Sequence, residues 1–273
     1  MTATLADGRR VEILRLGKGE PLLYLHGLAD VHSVLPPEEP PAALTLLGAT
    51  REVVAPAHPG YEGTEDLGPH ADPEDYAFHL LDVLDLLGLD AVDVIGASFG
   101  GWLAAELALR HPNRVRRLVL VNPLGLQVPG AQPGLFFGAA APRGIGGFAE
   151  VRSMLFADSS STVATATLPD EMSRERQLRW FGGLAGAARL GWRGPELRNP
   201  KLRGRLRRIT APALVLWGER DRISPVVHAR EWEKRLPDAE LVLVPDAGHS
   251  LPLERPDVTT DWIVSYLAHP SRL

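Results

Sequence analysis

Ser98 lies in the pentapeptide Gly96-Ala97-Ser98-Phe99-Gly100, between an apolar run typical of a strand and a run typical of a helix. A chain that passes directly from a strand into a helix needs small residues beside the turn, because larger side chains would collide with both elements. The turn would hold the serine hydroxyl at a strained corner, above the backbone N–H groups of the first helical turn. This pattern predicts a nucleophilic serine.

Two residues further along the chain could activate that serine. A serine hydroxyl is a poor nucleophile until a base takes its proton, and the base works best when a carboxylate orients it. Asp221 follows the predicted buried strand 212–217, and His249 follows the apolar run 241–244. Loops beyond the carboxyl ends of parallel strands meet at one edge of a sheet, so these residues can meet there. We therefore predict Asp221 as the acid and His249 as the base.

Two other residues, Asp246 and Asn122, lie where an acid partner of the histidine could be placed. Asp246 could replace Asp221, but it lies three residues before His249 on the same loop, which is a poor position from which to orient that imidazole. Asn122, at the end of the predicted strand 118–121, cannot supply a negative charge because its side chain is an amide. Asp221 is therefore the favoured acid.

The chain order serine, aspartate, histidine is characteristic of one fold, and the sequence resembles the α/β-hydrolase family over nearly its whole length. Besides these three residues, the resemblance rests on three motifs, Tyr24-Leu25-His26-Gly27-Leu28, Val53-Val54-Ala55-Pro56-Ala57-His58-Pro59-Gly60 and Glu254-Arg255-Pro256. It implies an α/β fold with a mostly parallel central sheet flanked by helices. It also implies a helical cap inserted after the sixth strand.

The resemblance further implies an oxyanion hole formed by the backbone N–H groups of Leu28 and Phe99. Acyl transfer requires such a pair of donors, one beside the nucleophile and one from the facing loop. His26 is interpreted as a supporting residue of that loop. Ala97 departs from the family pattern, since many relatives carry histidine there, and this change removes a packing contact.

The stretch between the predicted strands 118–121 and 212–217 is far longer than a crossover helix requires. We predict a hydrolase core formed by residues 1–122 and 209–273, with residues 123–208 as the helical cap. The cap segment is rich in aromatic residues, some of which are expected to line an apolar pocket facing the serine. The candidates for substrate binding are Phe136, Phe137, Trp180 and Trp192.

A serine nucleophile favours esters, thioesters, lactones or amides, because its attack on a carbonyl gives an acyl-enzyme that water resolves. The favoured function is a carboxylesterase-type hydrolase acting on a small or medium apolar acyl compound. A carbon–carbon bond hydrolase of the ring-cleavage type is the alternative, suggested by similarity around Pro123-Leu124-Gly125-Leu126. Those relatives usually carry tryptophan after the catalytic histidine, where this chain has Ser250. A ligand sensor with slow turnover is a third hypothesis.

The helix after residue 71 has a clear predicted start, with Asp72 as N-cap and Pro73 in the first turn. Its apolar positions at helical spacing are expected to pack on the sheet. These positions are Phe78, Leu81, Leu84 and Leu87.

The 273-residue chain has a net charge of −5 and 45% hydrophobic residues, which is typical of a globular protein and does not suggest a nucleic-acid partner. The basic stretch 198–208 is interpreted as a solvated helix face. The chain lacks cysteine and its histidines show no metal-ligand spacing, so neither a metal nor a cofactor is predicted. Without a signal-like or membrane-length apolar run, the expected location is cytoplasmic.

Overall fold

The computed structural model describes residues 1–28, 40–131, 134, 136–140, 147–192 and 197–268. The strands are β1 (Thr2–Thr4), β2 (Arg10–Leu16), β3 (Pro21–Leu25), β4 (Glu52–Pro56), β5 (Val92–Ala97), β6 (Val115–Val121), β7 (Gly125–Leu126), β8 (Arg198–Asn199), β9 (Ala213–Gly218) and β10 (Ala239–Val244). The helices are α1 (Ala42–Gly48), α2 (Pro73–Leu86), α3 (Phe99–Arg110), α4 (Phe136–Ala140), α5 (Gly147–Leu155), α6 (Thr162–Thr167), α7 (Arg174–Gly191), α8 (Leu202–Arg205), α9 (Val226–Arg235), α10 (Leu251–Glu254) and α11 (Pro256–Ala268).

The central sheet confirms the predicted α/β architecture. Within the described residues it has eight strands in the order β1-β2-β4-β3-β5-β6-β9-β10. Six strands, β4, β3, β5, β6, β9 and β10, run parallel to one another. Strand β2 pairs antiparallel with both β1 and β4. The central strands β5 and β9 are buried on both faces, as expected for a parallel sheet covered by helices on both sides.

Alternate residues of the central strands point into two separate cores. On one face, residues such as Leu22 and Ile95 pack with apolar side chains of α1 and α11. On the other face, Leu23 and Val94 join a larger core that includes residues of α2, α3, α9 and the segment between β6 and β9. Because the central strands run parallel, their carboxyl ends form one edge of the sheet. Residues that follow neighbouring strands lie side by side at this edge.

The inserted segment, residues 123–208, leaves the core after β6 and returns to it before β9. Its two ends are joined by a short parallel ladder between β7 and β8. Its other side lies against the loop after β4, where a Cβ on Gly186 of α7 would come within 2.9 Å of the Pro59 carbonyl oxygen. The ladder thus joins the two ends of this segment, and α7 contacts the core at the loop after β4.

Helix α2 begins as predicted, because the Asp72 side chain accepts hydrogen bonds from the N–H groups of Glu74 and Asp75 in a capping box. The predicted buried face is wrong in part. The helix buries Tyr76, Leu80, Val83 and Leu84, and Phe78 is 49% exposed. The Phe78 ring instead packs edge-on against His111 at the surface, with ring centroids 5.4 Å apart.

The sequence predicts that the basic stretch 198–208 is a solvated helix face. The basic stretch around α8 buries Leu202, Leu206 and Ile209 and exposes Arg207 and Arg208, which is the arrangement of a solvated face over an apolar base. Among the described residues, no helix combines the length and the apolar character needed to cross a bilayer.

Candidate active site

Ser98 occupies a strained turn between β5 and α3. Its φ of 53° lies in the left-handed region, which is costly for a residue with a Cβ, and such strain is concentrated at functional sites. Gly96 and Gly100 permit the turn. A Cβ on Gly96 would lie 2.5 Å from the Gly100 carbonyl oxygen, and one on Gly100 would lie 2.1 Å from that of Leu25. The predicted steric reason for these two glycines is therefore present in the structure.

Ser98, His249 and Asp221 form a continuous hydrogen-bonded chain. The Ser98 Oγ lies 2.7 Å from His249 Nε2, and His249 Nδ1 lies 2.8 Å from Asp221 Oδ2. In the tautomer that this pairing requires, Nδ1–H donates to the carboxylate and Nε2 accepts from the serine hydroxyl. The three residues are at most 8% exposed, so the chain is shielded from bulk water. This geometry can transfer the serine proton to the imidazole.

The Asp221 carboxylate accepts four hydrogen bonds. Oδ1 accepts from the backbone N–H groups of Ile223 and Ser224, both at 2.8 Å. Oδ2 accepts from His249 and also from Asn122 Nδ2, at 2.7 Å. These donors stabilise the charged carboxylate and fix its rotation, so that one oxygen faces the imidazole.

Asn122 cannot be the acid, but its side chain donates a hydrogen bond to Asp221, a role that was not predicted from the sequence. Its position could have indicated this role, because Asn122 directly follows β6, the strand that pairs with β9, and Asp221 follows β9. Neighbouring parallel strands place their following residues side by side. The Asn122 side chain is fully buried between the two loops.

Asp246 lies away from the imidazole. Its carboxylate forms an ion pair with Arg220, and its side chain is 68% exposed. His228 also lies near Asp221, but burial lowers the pKa of its imidazole and the Asp221 charge only partly opposes this effect. The structure therefore brings Asp221, rather than Asp246, into contact with His249.

Two stacked histidines fix the position of residues 26–28, directly after β3. The rings of His26 and His58 lie 3.9 Å apart between centroids. His26 Nε2 accepts from the His58 backbone N–H at 3.0 Å, while His58 Nε2 lies 2.8 Å from the His26 carbonyl oxygen. This places Leu28 at the cavity that contains Ser98. Phe99 is the first residue of α3, so no carbonyl oxygen of a preceding helical turn is there to accept from its N–H.

The space between the residues around Ser98, including the part that is open solvent, amounts to about 370 Å³. His249 is the one titratable side chain in its described wall. The other lining residues are apolar or small polar ones: Gly27, Leu28, Ala97, Phe136, Leu155, Ile223, Ser250, Pro252 and Leu253.

Of the four aromatic residues expected in the wall, Phe136 lines this cavity and the other three do not. Trp180 is buried behind Phe136, with ring centroids 6.3 Å apart. Phe137 and Trp192 stack on each other at 5.5 Å, and Trp192 is 60% exposed. Their positions differ because adjacent residues on α4 point in different directions and Trp192 lies just beyond the end of α7, and the substrate-binding role of the four residues stays a prediction.

The described part of the chain contains no group of three or more metal-ligating side chains arranged to hold an ion.

Comparisons with known proteins show the family to which the chain is similar. A family model described as the alpha/beta hydrolase fold matches residues 20–256. The chain is 28% identical over 280 residues to 2-hydroxymuconate semialdehyde hydrolase of Pseudomonas putida, covering 98% of this chain and 94% of that one. It is 32% identical over 244 residues to pimeloyl-[acyl-carrier protein] methyl ester esterase of Aromatoleum aromaticum, covering 86% and 93%. The structure of an esterase from Exiguobacterium antarcticum is similar with a TM-score of 0.77 and 20% identity, covering 98% and 99%.

Proposed function

Because this chain belongs to the α/β-hydrolase family, we propose that it is a serine hydrolase that cleaves small or medium apolar esters through an acyl-enzyme on Ser98. The observation that carries this proposal is the buried hydrogen-bonded chain from Asp221 through His249 to the Ser98 hydroxyl, which ends at an apolar cavity. Nucleophile, base and orienting carboxylate are all within hydrogen-bond distance, which is the arrangement that acyl transfer requires.

In the proposed reaction, the Ser98 Oγ attacks the ester carbonyl carbon while His249 Nε2 takes the hydroxyl proton. The N–H groups of Leu28 and Phe99 would stabilise the oxyanion of the tetrahedral intermediate. His249 then gives its proton to the leaving alkoxide as the ester C–O bond breaks. Water attacks the acyl-enzyme with His249 again acting as base, and release of the carboxylic acid restores the serine hydroxyl.

The inserted segment, residues 123–208, would act as a cap that selects substrates without supplying the reacting groups. It contributes Phe136 and Leu155 to the cavity wall, while the three reacting side chains come from loops of the core. The apolar wall supports an uncharged acyl group next to the serine.

Carbon–carbon bond hydrolysis is the second candidate. It is favoured by the similarity to 2-hydroxymuconate semialdehyde hydrolase, which extends over 98% of the chain. A muconate carries a carboxylate, and a buried carboxylate needs a cationic or hydrogen-bonding partner. None of the described wall residues is an arginine or lysine, so a carboxylate there would depend on hydroxyl, imidazole and backbone N–H groups, which favours an uncharged ester over this alternative.

A substrate panel separates the two candidates. We expect turnover of p-nitrophenyl esters with short to medium acyl chains to exceed that of a carboxylate-bearing vinylogous diketone, since the ester needs no cationic partner. Initial rates would be measured for both classes with Ser98→Ala as the blank. Cleavage of the diketone with no activity on any ester would replace the proposed function by the second candidate.

Shortening Phe136 is expected to move the acyl-length optimum toward bulkier esters. Phe136→Ala enlarges the wall of the cavity, and one methylene in an apolar pocket changes discrimination by about 1–3 kcal/mol. The measurement is kcat/KM across acyl lengths, with Phe136→Leu as a milder variant because Phe136 is fully buried.

Trp192→Ala is the matched control, since Trp192 is an aromatic residue of the same segment but lies outside the cavity wall. It should leave the acyl-length preference unchanged. Equal losses on every ester in the Phe136 variants would count against selection by the cap.

A further inference from the structure

The carboxyl-terminal end of α5 is attached to both loops that carry the imidazole and its carboxylate partner. The backbone N–H of Ser250, which follows His249, donates to the Leu155 carbonyl oxygen at 2.8 Å. Arg222, which follows Asp221, donates from Nη1 to the Ser153 carbonyl oxygen at 2.7 Å. One point of the inserted segment is therefore held from two sides of the site.

Glu254 forms a third attachment, because its carboxylate contacts both the loop before His249 and the inserted segment. Its Oε2 accepts from the Gly248 N–H at 2.6 Å, and its Oε1 accepts from the Ala157 N–H at 2.7 Å. Gly248 directly precedes His249, whereas Ala157 lies just after α5 in the inserted segment. The carboxylate is half-buried, and although burial raises the pKa of Glu254, backbone N–H donors oppose that effect.

The two backbones that Glu254 joins also approach each other directly. A Cβ on Gly248 would lie 2.6 Å from the Ala157 nitrogen and 2.8 Å from the Phe156 carbonyl carbon. The loop before His249 therefore rests on the inserted segment without an intervening side chain. A shift of residues 155–157 would be transmitted to the imidazole through this contact.

We propose that Glu254 is a positioning residue that couples the inserted segment to His249. By holding Gly248 and Ala157 on its two oxygens, it sets the distance between the imidazole and the Ser98 hydroxyl. The inserted segment then controls the rate of the reaction as well as the choice of substrate. This inference rests on the proposed function of Ser98 and His249.

Glu254→Gln tests the coupling, because an amide has one acceptor oxygen and cannot accept from both N–H groups. We expect kcat on a short p-nitrophenyl ester to fall by roughly 10- to 100-fold, as a misplacement of about 1 Å does elsewhere, with KM changed by less than about twofold. The rate of fluorophosphonate labelling should fall in parallel. Glu150→Gln, the same exchange at an exposed position of α5, should match the wild type in both.

Glu254→Asp separates geometry from charge. The shorter side chain retains the negative charge but cannot reach both N–H groups, so we expect a loss similar to that of Glu254→Gln. Full activity in Glu254→Asp together with a loss in Glu254→Gln would assign the effect to charge and overturn the coupling.

Ala157→Pro tests the same coupling from the inserted segment. It provides the test of the proposal if Glu254→Gln does not fold. It removes the N–H that donates to Glu254, and it leaves the sequence of the core loops unchanged. A folded variant of either kind, judged by circular dichroism, that retains the wild-type kcat would overturn the proposal. A wild-type protein that neither hydrolyses esters nor is labelled would instead overturn the proposed function, whatever the variants do.

Discussion

Replacing Ser98 with alanine is expected to lower kcat for ester hydrolysis by about five to six orders of magnitude, because the change removes the hydroxyl that makes the nucleophilic attack. The side chain loses only its hydroxyl, so the turn between β5 and α3 and the affinity for substrate should persist. The measurement is kcat and KM on the best ester of the panel, with circular dichroism to verify folding.

Ser160→Ala serves as the control for this change, since Ser160 is an exposed serine of the inserted segment whose hydroxyl contacts only Asp158 among described residues. It should behave as the wild type. A Ser98→Ala protein that is folded and retains even one per cent of the wild-type kcat would show that the reaction does not proceed through this hydroxyl.

Asp221→Asn is expected to lower kcat by about four orders of magnitude, a loss of the size caused by removing the orienting carboxylate of a serine triad. The physical reason lies in the four donors around Asp221. An amide accepts on one oxygen only, so its NH2 group must face either the N–H groups of Ile223 and Ser224 or the donors from Asn122 and His249. Either arrangement disturbs the tautomer or the position of His249.

Asp246→Asn is the matched control, since this carboxylate lies on the same loop as His249 but pairs with Arg220 at the surface. We expect its kcat to equal that of the wild type. An inactive Asp246→Asn combined with a fully active Asp221→Asn would reverse the assignment of the acid.

The sequence predicted the parts of the site that depend on backbone sterics and strand order. Gly96 and Gly100 are needed because backbone atoms approach within 2.5 Å of where their Cβ would be. Asp221 and His249 come together because each follows one of two neighbouring parallel strands. These are constraints that a short sequence pattern already contains.

Side-chain direction could not be predicted in the same way. Helix α2 carries two apolar stripes, and the periodicity alone did not show that Leu80 and Val83 face the core while Phe78 packs on His111. The aromatic residues that line the cavity could not be predicted either, because the side chain that faces Ser98 depends on how the helices of the inserted segment are rotated. Asn122 was missed because its role as a donor depends on a neighbour 99 positions away.

Intact-mass spectrometry after treatment with a fluorophosphonate tests the central claim most directly. The account predicts a single covalent adduct on the wild-type protein, located on the peptide that contains Ser98 and absent from Ser98→Ala. It also predicts much slower labelling of Asp221→Asn, because the imidazole that activates the hydroxyl would be misoriented. Equal labelling of the wild type and Ser98→Ala would contradict the assignment of Ser98 as the nucleophile.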